Sequence, residues 1–223
     1  MVILLKAPDK DKHSVRSYRG ICLLPVLGKV LERVMVERVA DVVNIERPLS
    51  TVRQFGFKPG LSVEDAWMHV KEKVECCPSE YILGIFVDFK GVFDNLNWAS
   101  IIRRLDEVGC TDLELWKSYF SDRHVCFEGR HDVIWKRVER GCPQGSISGP
   151  FIWNLLMDTM LVQLAPLTEY CAYADDLVLL VEGKSRADLE RKAGDLMRIV
   201  SIWSHLVGVA VAWDKTVMML LRG

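Results

Sequence analysis

Two adjacent aspartates, Asp175 and Asp176, lie between an aromatic-rich arm and an aliphatic arm in the segment 170–181 (YCAYADDLVLLV). Both arms have strand composition, and the short link between them predicts a tight β-hairpin. Two carboxylates at a hairpin tip repel each other unless a cation neutralises them. Aspartate is also common in turns, where its side chain makes local hydrogen bonds. Taken alone, this segment therefore indicates a solvated turn and a cation-binding pair about equally.

A third carboxylate, Asp88, lies near the end of the apolar run 81–89 (YILGIFVDF), whose composition is typical of a buried strand. A role in capping the next turn is the alternative, but an unpaired carboxylate among apolar side chains is costly. If this strand and the hairpin share one sheet, three carboxylates converge at one edge. Mg²⁺ prefers such oxygen ligands together with substrate phosphates. Two ions about 3.5–4 Å apart would stabilise the attacking and leaving oxygens of a phosphoryl transfer.

A loop rich in glycine, proline and serine, 141–150 (GCPQGSISGP), precedes a predicted helix over 151–164. Its exposed backbone N–H groups could meet a phosphate or a base. Because such turns before helices are frequent, simple turn chemistry is favoured by roughly two to one. Pro150 suits the first helical turn, where its missing N–H costs nothing.

Hydrophobic periodicity predicts the helices that support these segments, over 29–43, 98–108, 113–120 and from Ser185 to near Gly208. The first of them has an apolar face, expected in the core (Val30, Leu31, Val34, Met35, Val39, Val42), and a charged face (Glu32, Arg33, Glu37, Arg38). Ser62 and Asp65 resemble a capping box. The helix that follows is expected to face the core with Val63, Ala66, Trp67, Val70 and Val74.

Strands are predicted as a hairpin over 125–138 and as two short segments over 209–213 and 217–221. The mixed order of strands and helices favours an α+β fold with an antiparallel hairpin in its sheet over a doubly wound sheet.

The composition sets broad limits on function. The 223 residues are 50% hydrophobic, enough for a large core, and the net charge of −1 does not by itself support nucleic-acid binding. Two local basic clusters, within 6–19 and 136–140, could contact phosphates, although an ordinary charged surface is equally favoured. The seven cysteines lack zinc-ligand spacing and suit neither a disulfide framework nor a zinc finger. No apolar run is long enough to span a bilayer or form a signal peptide, so we expect an intracellular protein without a membrane partner.

Six blocks follow one another along the chain: 17–25 (SYRGICLLP), 54–66 (QFGFKPGLSVEDA), 86–94 (FVDFKGVFD), 141–146 (GCPQGS), 173–176 (YADD) and 212–216 (AWDKT). Together they resemble the fingers and palm of a reverse transcriptase, in particular that of non-LTR (LINE-type) retrotransposons. The resemblance implies an α+β, right-hand polymerase fold, with an antiparallel palm sheet backed by helices and with the thumb missing. It implies fingers at 1–80, palm at 81–110, a connection between fingers and palm at 111–145, and palm again at 146–223, with the catalytic hairpin and C-terminal strands.

The resemblance also implies roles for the acidic residues and one lysine. Asp88 and Asp175 would be catalytic and metal-binding, supported by Asp176, and Phe89 would belong to the metal-binding and substrate-binding positions. Lys215 would protonate or neutralise departing pyrophosphate, although an exposed turn lysine is an equally favoured interpretation.

Other matched positions would contact the substrates. Phe93 would close under the sugar of the incoming nucleotide and exclude a 2′-OH; the alternative is a core phenylalanine. Gln144 and Gly145 match the loop beside the nascent base pair. Lys12 and Arg19 match fingers residues that grip the triphosphate, where charge-assisted bonds are strong. Two positions depart from the usual pattern, since Gly20 follows Arg19 in place of proline and 90–93 reads KGVF instead of ending in Lys-Ala-Phe.

The activity implied is that of an RNA-directed DNA polymerase, which joins a dNTP to a primer 3′-OH with two Mg²⁺ ions, Mn²⁺ being a possible substitute. Its partners would be an RNA template and a DNA primer, with synthesis in the cytoplasm and action in the nucleus; the oligomeric state stays open. A catalytically silent remnant that binds nucleic acid or protein is the alternative. A templated polymerase of another kind explains the aspartates, but not YADD, Gln-Gly and Phe93 together.

Overall fold

Strands and helices follow one another along the chain in the mixed order expected of an α+β protein. The computed structural model describes residues 1–45, 49, 53–129 and 132–223. The strands are β1 (Val2–Leu5), β2 (Tyr18–Ile21), β3 (Tyr81–Val87), β4 (Phe89–Lys90), β5 (His124–Glu128), β6 (Val133–Arg137), β7 (Glu169–Tyr173), β8 (Asp176–Gly183), β9 (Ala210–Val211) and β10 (Val217–Arg222). The helices are α1 (Val26–Ile45), α2 (Val63–Cys76), α3 (Val92–Asn95), α4 (Trp98–Glu107), α5 (Leu113–Phe120), α6 (Ser148–Leu164) and α7 (Arg186–Val207).

A four-stranded antiparallel sheet in the order β10-β3-β8-β7 joins segments that are far apart in sequence. The predicted strand 81–89 and the predicted Asp-Asp hairpin are direct neighbours in it, because β3 pairs along its whole length with β8. This confirms the shared sheet on which the convergence of the three carboxylates depends. Three two-stranded sheets, β1-β2, β4-β9 and β5-β6, complete the described strands.

Helices α6 and α7 back one face of the sheet. Helix α6 is apolar on almost every side and has most of its length buried, which is typical of a helix surrounded by other elements. It contacts α1, α4 and α7, and α7 also contacts β8. Ile85, Leu179, Trp153 and Val200 are completely buried where the sheet meets these helices. The predicted antiparallel sheet backed by helices is therefore confirmed.

Helix α1 buries a different stripe from the one that its apolar spacing predicted. The buried residues are Glu32, Met35, Val39 and Val43, whereas the predicted core residues Val30, Leu31 and Val34 are exposed. The prediction is confirmed for Met35 and Val39. It was wrong for the three exposed residues because the loop before α6 and helix α5 contact this part of the helix on the side of Glu32. Burial of this carboxylate is offset by hydrogen bonds described below.

Helix α2 begins with the predicted capping box: Ser62 Oγ accepts from Asp65 N, and the Asp65 carboxylate accepts from Ser62 N at 2.7 Å. Ala66 faces the core as predicted, but Trp67 is 64% exposed, so its assignment to the core was wrong. The indole lines an open apolar cavity of about 410 Å³ between α2 and the uncovered face of the sheet, opposite Phe86 and Met219.

The predicted hairpin over 125–138 is confirmed as β5 and β6, and α5 has the predicted bounds. Helix α7 begins after Ser185, whose hydroxyl accepts from Asp188 N, and ends at Gly208 in the left-handed conformation. Of the described helices, none combines the length and the apolar character needed to cross a membrane.

Candidate active site

The turn between β7 and β8 carries the aspartate pair. Tyr173 pairs with Asp176 across it, so Ala174 and Asp175 form a two-residue link. Ala174 has a φ of +56°, a left-handed conformation that is uncommon for a residue with a Cβ atom. Such a conformation persists only where the surroundings hold it. The surroundings of Ala174 are therefore part of the site.

Two buried side chains donate to the carbonyl oxygen of Ala174. Trp153 on α6 donates through Nε1 at 2.7 Å, and Gln54 donates through Nε2 at 3.2 Å. The indole is also packed edge-on against Phe89 and Trp203. Helix α6 thus connects the turn rigidly to the centre of the core.

Asp88 lies between β3 and β4 at the same end of the sheet. The last β3–β8 pair is Val87 with Leu177, so the next positions outward on the two strands are Asp88 and Asp176. Adjacent strands are about 4.8 Å apart. Asp88 is half-buried, and its backbone carbonyl accepts from Ala212 N at 2.7 Å.

The three carboxylates act on one another electrostatically. Partial burial raises the pKa of Asp176, and the neighbouring charges of Asp175 and Asp88 raise it further. Negative charge concentrated on hard oxygen donors suits a divalent cation such as Mg²⁺. Within the described parts of the chain, no group of three or more His, Cys, Asp or Glu side chains forms a ready-made metal site. A cation held by these carboxylates would take its remaining ligands from water or from substrate phosphates.

Lys215 lies beside Asp88, with its Nζ 3.1 Å from Asp88 Oδ2. The lysine side chain is largely exposed. The turn 212–216 is closed by bonds from Lys215 N and Thr216 N to Ala212 O. The resemblance implied that this lysine belongs to the site, and the structure places its ammonium directly on the first carboxylate.

Phe93 lies on α3, beside the loop that precedes α6. The carbonyl of Phe93 accepts from Cys142 N at 2.6 Å, and Gly141 N donates to Leu96 O at 2.7 Å. Gly141 has a φ of +83°, and a Cβ atom there would lie 2.7 Å from Phe93 O. The Phe93 ring makes an edge contact with Phe57, the centroids being 6.3 Å apart.

Gly91, one of the two departures from the usual pattern, has the left-handed φ of +59° that glycine adopts at little cost. Its carbonyl accepts from Asp94 N at 3.1 Å and from the Asn95 side chain at 2.9 Å. A Cβ atom at this position would lie 2.4 Å from Asn95 Nδ2. Glycine is therefore the residue that this start of α3 favours.

Gln144 and Gly145 form the tip of the loop before α6, and the strand that carries Arg19 ends against it. Gln144 O accepts from Cys22 N at 3.0 Å, just after β2. Arg19 is exposed on β2, and Lys12 is exposed nearby, its carbonyl accepting from the Tyr18 hydroxyl at 2.9 Å. Backbone hydrogen bonds thus connect the segments that carry Arg19, Gln144 and Phe93. Among the described residues, no bond joins Arg19 or Lys12 to the aspartates.

The side chain of Phe89 belongs to the core. It is 5% exposed and packs edge-on against Trp153 and Trp203 at centroid distances of 5.9 and 5.7 Å. Its backbone pairs with Val211 on β9. Any contact of Phe89 with metal or substrate would therefore have to come from its backbone.

Glu32, Gln54 and Trp153 support the site and were not identified from the sequence. Glu32 is 1% exposed; one carboxylate oxygen accepts from Ile147 N at 2.7 Å and the other from the Tyr119 hydroxyl. Burial and the bond to Glu32 raise the pKa of Tyr119 far above its ordinary value. A glutamate at a spacing shared with Met35 and Val39 is the signal that could have identified Glu32 as buried.

Comparison with known proteins agrees with this geometry. The family model described as reverse transcriptase (RNA-dependent DNA polymerase) matches residues 8–221. The chain belongs to the reverse transcriptase family. It is 53% identical, over its whole length, to the 115 kDa protein of the type-1 retrotransposable element R1DM of Drosophila melanogaster. It is 40% identical, again over its whole length, to the Pol polyprotein of the type-1 element R1 of Bradysia coprophila.

This reverse transcriptase chain spans about a fifth of the length of those relatives, 21% and 22% respectively. Among solved structures, apo telomerase from Candida tropicalis is similar with a TM-score of 0.63 at 15% identity, over 88% of this chain and 41% of that one. At this identity the likeness concerns the fold alone, and it confirms the predicted right-hand polymerase fold. The predicted non-LTR reverse transcriptase family is confirmed as well.

Proposed function

We propose that this chain is the catalytic core of an RNA-directed DNA polymerase, which transfers a nucleotide from a dNTP to the 3′-OH of a primer paired to an RNA template. The observation that carries the proposal is the convergence of Asp88 with the Asp175–Asp176 turn at one edge of the sheet, in a chain of the reverse transcriptase family. Relatives such as the mobile element jockey of Drosophila melanogaster are named as RNA-directed DNA polymerases.

In this proposal Asp88, Asp175 and Asp176 would hold two Mg²⁺ ions, for which Mn²⁺ could substitute, together with the phosphates of the substrate. Ions bound there would favour ionisation of the primer hydroxyl and carry the charge that develops on the leaving group. The primer 3′-oxygen forms a bond to the α-phosphorus, the bond from that phosphorus to the bridging oxygen breaks, and pyrophosphate leaves. The Lys215 ammonium, on the open side of Asp88, supplies a proton or positive charge to the pyrophosphate.

The remaining predicted residues select and orient the nucleotide. Phe93, held by Cys142 N and Phe57, would exclude a 2′-OH by steric contact with the sugar. Gln144 and Gly145 would support the nascent base pair, while Arg19 and Lys12 would pair with the triphosphate. Template pairing chooses the base, so the protein contacts shape and backbone. The matching family model, described as reverse transcriptase (RNA-dependent DNA polymerase), supports RNA as the template.

We assign 1–80 to the fingers, 81–110 to the palm, 111–145 to the connection between them and 146–223 to the rest of the palm. The hydrogen bond from Cys22 N to Gln144 O supports a close approach of the first and third segments.

Primer extension on poly(rA)/oligo(dT) with Mg²⁺ and dTTP tests the proposal. We expect the native chain to extend the primer, Asp88→Asn and Asp175→Asn to be inactive, and Asp41→Asn to match the native chain, since Asp41 is exposed on α1. Equal extension by the native chain and Asp175→Asn would reject the metal role. A folded native chain that binds RNA/DNA duplex without extending it would instead favour the silent remnant.

A further inference from the structure

Gln54 is a completely buried polar residue, 0% exposed, that has no role in the proposed reaction. The segment runs beside β7: Phe55 N donates to Ala172 O at 2.8 Å, and Ala172 N donates to Arg53 O at 2.9 Å. Gln54 and Ala172 form a parallel bridge. The segment is therefore attached to the edge of the sheet by one bridge, immediately before the turn that carries Asp175 and Asp176.

The Gln54 side chain uses both ends of its amide, one toward the turn and the other toward its own segment. Its Nε2 donates to Ala174 O at 3.2 Å, and its Oε1 accepts from Gly56 N at 3.0 Å. Since one partner is a carbonyl and the other an N–H group, the site requires a donor and an acceptor from one neutral group. A glutamate of the same length could accept but not donate, and it would bring a charge against the Ala174 carbonyl.

Gly56 brings the backbone of this segment against the backbone of the turn. A Cβ atom at Gly56 would lie 2.0 Å from Ala174 N and 2.6 Å from Ala174 Cα, so no side chain fits. Asn154 Nδ2 on α6 donates to Gly56 O at 3.0 Å, next to Trp153, which donates to Ala174 O. One turn of α6 thus holds both the segment and the turn against which it packs.

We propose that Gln54 is a positioning residue for Asp175 and Asp176, which holds Ala174 in its left-handed conformation and so directs both carboxylates toward Asp88. The proposal rests on the proposed function, because the carboxylates matter as metal ligands. Gln54 contacts no substrate or metal; it acts through the Ala174 carbonyl. Gln54 therefore affects the geometry of the two carboxylates and not the affinity for the nucleotide.

Gln54→Met keeps the length and volume of the side chain and removes its hydrogen bonds to Ala174 O and Gly56 N, and Gln54→Glu keeps only the acceptor. Gln163→Met is the matched control, since Gln163 is an exposed glutamine on α6 that donates to Thr159 O at 2.8 Å. Binding of Mn²⁺ without nucleotide is followed by electron paramagnetic resonance. Hydrogen–deuterium exchange is followed in peptides that cover 171–178 and, for comparison, β3.

We expect both Gln54 variants to bind Mn²⁺ about 2-fold to 10-fold more weakly, the equivalent of one net hydrogen bond. Exchange should rise in 171–178 and stay unchanged in β3, and in primer extension kcat should fall while KM for dTTP stays constant. A folded Gln54→Met with native Mn²⁺ affinity and native exchange over 171–178 would overturn the proposal, and so would a uniform rise in exchange that includes β3 with native affinity. Mn²⁺ binding and hydrogen exchange can both be measured even if the native chain does not extend primers. Failure of the proposed function is therefore distinguishable from failure of this inference.

Discussion

Replacing Lys215 with methionine removes the ammonium that lies 3.1 Å from Asp88 Oδ2 and keeps a side chain of similar reach. The lysine is 63% and the aspartate 35% exposed, so the pair is a solvent-screened one. Such pairs contribute about 0.2–1 kcal/mol. The ammonium and a divalent cation compete for the same carboxylate, so this free energy opposes metal binding in the native chain. We therefore expect Lys215→Met to bind Mn²⁺ about 1.4-fold to 5-fold more tightly in the absence of nucleotide.

Nucleotide incorporation should change in the opposite direction, because the proposed source of charge or a proton for pyrophosphate is lost. Mn²⁺ titration at low salt, followed by electron paramagnetic resonance, measures the first effect; single-nucleotide incorporation with saturating Mg²⁺ measures the second. Lys117→Met is the control for loss of one positive charge, because Lys117 pairs with Glu114 on α5 and has no contact with Asp88. Unchanged or weaker Mn²⁺ binding by a folded Lys215→Met would refute the idea that the lysine and the cation compete for Asp88. If Lys215→Met and Lys117→Met gained Mn²⁺ affinity equally, the gain would be a general effect of net charge and not competition for Asp88.

Three further predictions concern the gate, the core and the response to pH. Phe93→Ala should raise the ratio of ribonucleotide to deoxyribonucleotide incorporation, and an unchanged ratio would contradict the steric role. Arg104→Leu should lower the free energy of unfolding in urea by about 3 kcal/mol, because the side chain of Asp158 is only 4% exposed and loses a 2.8 Å ion pair; adding Asp158→Asn should recover part of the loss. Burial and the charges of Lys73 and Arg53 lower the pKa of His69, so stability should be lost as the pH falls from about 6.5 through the folded-state pKa, and His69→Gln should lose less.

The sequence predicts the elements of this fold where a local signal agrees with the tertiary environment. The continuous apolar run at 81–89 became an inner strand of the sheet, and the Ala-Asp-Asp link became the tip of a hairpin. Asp88, Asp175 and Asp176 could be identified because a charge at the end of an apolar run is conspicuous. Their meeting required only that two predicted strands be neighbours.

Prediction failed where the answer depends on which neighbour covers a face. On α1, Val30 and Val34 have a better apolar pattern than Glu32, yet Glu32 is the buried residue because Ile147 N and the Tyr119 hydroxyl lie opposite it. Gln54 carries no periodic signal, and its role depends on the backbone of a turn that is distant in sequence. Long-range hydrogen bonds of this kind leave no trace in local spacing.

The absence of a side chain at Gly56 makes the proposed reaction centre vulnerable to a mutation that no inspection of the aspartates would reveal. Even an added methyl group would have to displace the main chain at Ala174, since the gap is 2.0 Å. In copies of this sequence that have accumulated mutations, the codon for position 56 therefore predicts loss of activity. Those encoding any larger residue at position 56 are expected to be inactive, even where all three acidic positions are intact.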